Sequence, residues 1–139
     1  MQGVKRKFTY VFFYEAISLV MLSTAFVIFS DKNMAHAGAL GVITVVLAVV
    51  WNFLYNHVFE CWESGQVKRG RNLARRVTHA VGFELGLVAM TLPLFAWWLD
   101  LRLLDALMLD AGLTLTFMVF TFVYNWCFDR IFGLPLAAQ

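Results

Sequence analysis

Glu15 and Glu84 each stand inside a run of apolar and aromatic residues long enough to form a membrane-spanning helix. An ionised side chain at mid-bilayer costs on the order of 2.5–3.5 kcal/mol on insertion scales, so an acid there is a functional candidate by default. Removal from water disfavours the charged form, and a carboxyl poised in this way can exchange a proton for a cation. The plainer alternative is a permanently protonated acid bridging two helices, or one paired with a basic residue. For Glu84, Arg76 and His79 are near enough in sequence to serve. Phe12, Phe13, Tyr14 and Phe83 are expected to crowd around the two acids. A carboxylate among rings suits a lipophilic organic cation, through charge attraction and cation–π contact together.

A second polar signal is a stripe. Asp110, Thr114, Thr121, Asn125 and Asp129 fall at helical spacing on one face, as do Asn52, Asn56, Glu60 and Glu63. Such faces are expected to point inward, to neighbouring helices or a wet path, because amides facing lipid are costly. Interhelical hydrogen bonding explains Asn52, Asn56 and Asn125 equally well. Asp110, with Asp105 and Asp100, predicts an acidic mouth that favours cations. The three histidines, His36, His57 and His79, form no metal motif, and no nucleophile elbow, phosphate loop or Cys-x-x-Cys is present. Neither an enzyme nor a bound cofactor is expected, and the proton itself is the expected coupling ion. Cys61 and Cys127 are expected to remain thiols.

These residues need a membrane around them. With 61% hydrophobic and only 14% charged residues in 139, the chain holds more apolar side chain than a globule of its size can bury. That excludes a soluble enzyme, a nucleic-acid binder and a disordered regulator. Four stretches reach the length a bilayer requires: Phe8–Phe29, Ala35–Val58, Val77–Leu99 and Leu103–Phe128. The separating segments are Ser30–Asn33, Glu60–Arg76 and a tight turn at Asp100–Arg102. Connections this short make neighbours antiparallel, giving an all-α, up-down four-helix membrane protein. Although Ala35-His36-Ala37 resembles a cleavage site, the first apolar run is too long for a secretory signal and contains Glu15.

Nine of the eleven basic residues fall on one side: Lys5, Arg6, Lys7, Lys68, Arg69, Arg71, Arg75, Arg76 and Arg130, against Lys32 and Arg102. The positive-inside rule then puts both termini and the middle loop in the cytoplasm.

The chain also repeats itself. Lys7-x-x-Tyr10-x-x-x-Tyr14-Glu15 returns as Arg76-x-x-His79-x-x-x-Phe83-Glu84, and Tyr55-Asn56-x-x-Phe59-Glu60 returns as Tyr124-Asn125-x-x-Phe128-Asp129. Both returns come after the same 69 residues. The reading is two tandem hairpins, 1–69 and 70–139, within one membrane domain. Copies that each cross twice share an orientation, so a pseudo-two-fold axis along the membrane normal is expected.

Arg-x-x-His-x-x-x-Phe-Glu at Arg76–Glu84, Trp51-Asn52 through Glu60, and Tyr124–Asp129 together resemble the proteobacterial antimicrobial compound efflux (PACE) transporters over essentially the whole chain. The first copy departs from that pattern, with Lys7 for Arg and Tyr10 for His, while keeping Glu15. The resemblance implies a bacterial inner-membrane exporter of lipophilic cationic biocides such as chlorhexidine, driven by protons, with short diamines as further substrates. It implies that Glu15 carries the proton coupling. On this reading Glu84, Asp110, Asn52, Asn56, Tyr14, Phe83, His79 and Asp105 line the substrate path, and Glu60, Asn125 and Asp129 form the motif at the cytoplasmic end. The partners expected are cationic amphipathic small molecules and the bilayer; four helices barely enclose a drug-sized cavity, which makes a homodimer compatible with the sequence. The alternative is a non-transporting helix-bundle subunit of a larger membrane complex.

Overall fold

A computed structural model of the chain describes residues 2–68, 70 and 72–134. Two of the basic residues counted above, Arg69 and Arg71, lie outside the described residues, as do residues 135–139. The chain forms four helices, α1 (Gly3–Ile28), α2 (Met34–Ser64), α3 (Leu73–Trp98) and α4 (Leu103–Phe132). They are 26, 31, 26 and 30 residues long, and each is long and apolar enough to cross a membrane. At 1.5 Å per residue even the shortest spans about 39 Å, more than the roughly 30 Å hydrocarbon core.

The helices therefore outrun the expected spans, mostly at the end carrying the termini. Helix α2 continues through Glu60 to Ser64, so Glu60 is helical, although it was expected at the start of a long polar loop. The sequence between Glu60 and Arg76 is polar, but polarity stops a span without stopping a helix.

What stops the helices is local. Asn33 and Asn72 accept hydrogen bonds from the backbone N–H of His36 and Arg75, each at 2.9 Å, and so cap α2 and α3. The α3–α4 turn needs a left-handed residue and takes it at Asp100, whose φ is +52°; aspartate tolerates that region better than most side chains. Helix α3 runs unbroken through Pro93.

Each helix packs on two others, α1 on α2 and α4, and α3 on α2 and α4, which closes a ring. Towards the two hairpin turns the ring is filled by Leu22, Phe26, Ala37, Leu40, Phe95 and Leu109, with Phe26 and Phe95 in edge-to-face contact across the middle. Large apolar side chains such as Phe8, Val20, Phe53 and Phe122 face outward. A lipid-facing surface explains that arrangement, since between helices in a bilayer the drive is close packing and hydrogen bonding rather than hydrophobic burial.

Candidate functional site

Glu15 falls halfway along α1, about 18 Å from its first residue. It is half-buried, and its carboxylate has no hydrogen-bond or ion-pair partner among the described residues. It opens onto a cleft of about 420 Å³ between α1 and α2 on the outward face of the ring, walled by Phe8, Phe12, Leu19, Val42 and Val46. One acid in an otherwise apolar wall is an arrangement that holds either a proton or the charged end of an apolar cation.

The expected ring of aromatics around the acids forms only in part. Phe8 and Phe12 line the cleft, but Tyr14 turns to α4, where its hydroxyl pairs with Thr121 Oγ1 at 2.8 Å and its ring meets Phe120 and Tyr124. Phe83 likewise turns to α2, against Trp51 and Tyr55. Successive helical residues point about 100° apart, so a neighbour in sequence is not a neighbour in the site.

Glu84 falls halfway along α3, half-buried and also without a hydrogen-bond or ion-pair partner among the described residues. The structural pair with His79 does not form. His79 Nε2 instead donates to Asn56 Oδ1 at 2.8 Å, and Asn56 donates back along α2 to Asn52. Because the Asn56 amide nitrogen is occupied by Asn52, its oxygen faces His79 as the acceptor.

The same bond recurs one repeat away. Tyr10 donates to Asn125 Oδ1 at 2.5 Å, joining α1 to α4 as His79 and Asn56 join α3 to α2. The Tyr124 hydroxyl donates to Tyr10 O at 2.8 Å, and its counterpart Tyr55 donates to His79 O at 2.9 Å. These seams make Asn56, Asn125 and His79 helix-to-helix fasteners and take them away from the Glu15 cleft.

The polar stripes are correspondingly less inward than expected. Asn52, Glu60 and Asn125 are exposed, Asn56 and Asp129 are half-buried, and only Asp110 is buried. A stripe one residue wide on a helix held in a ring meets its neighbour at the edge, not at the centre. Asp129 pairs with Arg6, which also donates to Gly133 O at 3.1 Å and lies over the Phe128 ring. Its counterpart Arg75 reaches Glu63 at 4.0 Å and lies over Trp62. Reasoning from the sequence singled out Lys7 and Arg76 as the repeated cations and missed this pair, although Arg6 and Arg75 are identical residues at the same 69-residue step.

Asp105 and Asp100 do not make an acidic mouth. Asp105 is bound by Arg102 at 3.0 Å and Asp100 by Lys32 at 2.6 Å, both at the exposed hairpin end and away from the cleft. Lys32 holds the Asp100 carboxyl below its ordinary value, first by hydrogen bond and then by charge. Asp110 is buried two turns into α4 against Thr91 and close enough to Glu84 for their charges to interact.

Sequence reasoning also missed Gly82 and Gly86 on α3. A Cβ at Gly82 would overlap the Tyr55 hydroxyl, and one at Gly86 would overlap the Trp51 ring. Their four-residue spacing is the small-x-x-x-small signal that lets two membrane helices approach closely. Trp51 uses that approach to donate to Phe83 O at 3.0 Å.

Comparison with known proteins adds a family. A family model described as chlorhexidine efflux transporter matches twice, over residues 2–65 and 71–134. The chain is 39% identical over 127 residues to a short-chain diamines transporter of Acinetobacter baumannii, covering 91% of this chain and 88% of that protein. It is 37% identical to one of Acinetobacter baylyi, covering 91% and 89%, and 34% identical over 118 residues to one of Vibrio parahaemolyticus, covering 85% and 84%. No solved structure matches the chain.

Proposed function

This chain belongs to the chlorhexidine efflux transporter family, and on that premise we propose that it exports organic cations in exchange for protons, with Glu15 as the acid that trades one for the other. It is a multi-pass membrane protein of a transporter family, not an enzyme. The observation that carries the proposal is the Glu15 carboxylate, halfway along α1, without a partner among the described residues, in an apolar cleft. Asp110, Asn56, Asn125 and His79, by contrast, each have a hydrogen-bond partner.

In the proposed cycle the ionised Glu15 binds a cation from the cytoplasm, through charge attraction and contact with Phe8 and Phe12. The bundle then exposes the cleft to the far side. A proton arriving there neutralises Glu15, the cation leaves, and the proton is released inward on return. Chlorhexidine and related lipophilic cations fit the apolar wall. Short diamines carry a second ammonium, for which Glu84 and Asp110 are the remaining membrane-level acids. The excess of basic residues at the terminal end supports an inner-membrane placement with both termini cytoplasmic.

The test is substrate-driven proton flux in proteoliposomes containing only this protein, compared with Glu15→Gln. Flux in the parent and none in a folded Glu15→Gln is the expected result. Equal flux in both would move the coupling role to Glu84 or Asp110. No flux in either, with chlorhexidine and diamines supplied, would remove the transport reading in favour of a non-transporting subunit.

A further inference from the structure

Asp110 on α4 is 7% exposed and Thr91 on α3 is 2% exposed, with Asp110 Oδ2 and Thr91 Oγ1 2.6 Å apart. The same Thr91 Oγ1 lies 3.0 Å from Leu87 O, one turn back on its own helix. A threonine hydroxyl has a single proton to donate and lone pairs with which to accept. Two oxygens therefore compete for one proton if Asp110 is ionised. Both contacts are made in full only when the carboxyl supplies a proton of its own, with Asp110 donating to Thr91 and Thr91 donating to Leu87.

The surroundings agree. Among the described residues no cation pairs with Asp110, because Lys32 and Arg102 are engaged by Asp100 and Asp105 at the hairpin end. The titratable group on α3 whose charge reaches Asp110 is Glu84, another acid. On its own helix the nearest is Asp105, already paired. From α1 and α2 the buried cluster that contains its neighbour Leu109 receives Leu22, Phe26, Ala37 and Leu40, none of which titrates. An isolated carboxylate in such a place is costly. The equivalent positions in the first repeat are Leu22 and Gly41, so this pair is a feature of the second repeat alone.

We propose that Asp110 is a second proton-carrying acid of the transport cycle, holding its proton against Thr91 in the arrangement seen here and losing it when a cation approaches through the α3–α4 interface. On loss, the Asp110 O–H bond breaks and the proton passes to water. The Thr91 hydroxyl then turns from Leu87 O to the new carboxylate, whose charge is matched by the incoming ammonium. The inference rests on the transporter reading above but not on Glu15 being the coupling acid.

Infrared difference spectroscopy of the purified protein in lipid vesicles tests it, following carboxylic-acid carbonyl bands with and without putrescine or chlorhexidine. Glu15→Gln and Glu84→Gln identify the bands of those acids. One further acid band is expected, lost in Asp110→Asn, shifted in Thr91→Val, kept in Glu15→Gln, and replaced by a carboxylate band when substrate is added. Asparagine copies the shape of the protonated acid; should that variant fail to fold, the Thr91→Val shift and its restoration in Thr91→Ser carry the test. No loss in Asp110→Asn would mean that Asp110 is ionised, and a band lost there but unshifted in Thr91→Val would mean that its proton is not held against Thr91; either result overturns the proposal. A band that is present but indifferent to both substrates, in a protein whose vesicles show flux, would make Asp110 a structural acid and overturn its carrier role. Absence of flux in the parent instead removes the transport reading itself.

Discussion

Phe26 and Phe95, 69 residues apart and both essentially without solvent exposure, meet edge to face with their ring centroids 5.0 Å apart. Each repeat thus brings the same residue to the contact between the two hairpins. The Tyr10–Asn125 and His79–Asn56 bonds are reciprocal in the same way, each copy offering the other the contact it receives.

Truncating either ring should open a cavity in the buried cluster to which all four helices contribute. Phe26→Ala and Phe95→Ala should each cost roughly 3 kcal/mol. Thermal unfolding in detergent should show both variants lowered by similar amounts, and the double variant should lose less than the two losses added, because the partners share one contact.

Gly86→Ala should separate α2 from α3. The added methyl overlaps the Trp51 ring, whose indole N–H is committed to Phe83 O, so the ring cannot simply swing away. A loss of about 1–3 kcal/mol is expected, as for other overpacked sites. Gly112→Ala is the control: nothing lies within 4 Å of its new Cβ, and the helix gains up to about 1 kcal/mol from the lost glycine. Equal stability changes in the two variants would contradict this account of the α2–α3 contact.

The His79–Asn56 bond should behave as a fastener and not as part of the cation site. A double-mutant cycle between His79→Ala and Asn56→Ala should give a coupling of about 0.6 kcal/mol, the average for hydrogen bonds between membrane helices, and no more than about 1.7 kcal/mol. Binding of chlorhexidine to the folded variants, followed by tryptophan fluorescence, should change little. The matching cycle between Tyr10→Phe and Asn125→Ala should give a coupling of the same sign.

The ion pairs at the hairpin end set a pH dependence of a different kind. Lys32 lowers the Asp100 carboxyl in the folded protein, so whatever stability the pair adds is present above the unfolded carboxyl value, about 3.9, and is lost as pH falls through the lowered folded value. Through the neutral range Asp100 stays ionised, and Asp105 keeps Arg102 protonated. Asp100→Asn should therefore leave the neutral-range pH profile of transport unchanged, lose at neutral pH whatever stability the pair adds, and unfold like the parent once pH has fallen through the lowered Asp100 value. A shifted transport profile in that variant would show that the hairpin end takes part in proton movement.

Four spans, their duplication at 69 residues and the position of Glu15 and Glu84 well inside α1 and α3 were all legible in the sequence. These are properties of composition and spacing along one chain, and a helix converts spacing into depth directly. Spacing along one helix cannot say which neighbour a face will meet. Only the tertiary arrangement turned Tyr14 and Phe83 away from the two glutamates, gave Asp129 to Arg6, and matched Asp100 with Lys32. It also set Thr91 against Asp110 and brought Trp51 and Tyr55 onto Gly86 and Gly82. Those pairings depend on how four helices rotate about their own axes when they close into a ring. That rotation is fixed by side-chain volume and by the hydrogen bonds between helices, neither of which is local in sequence.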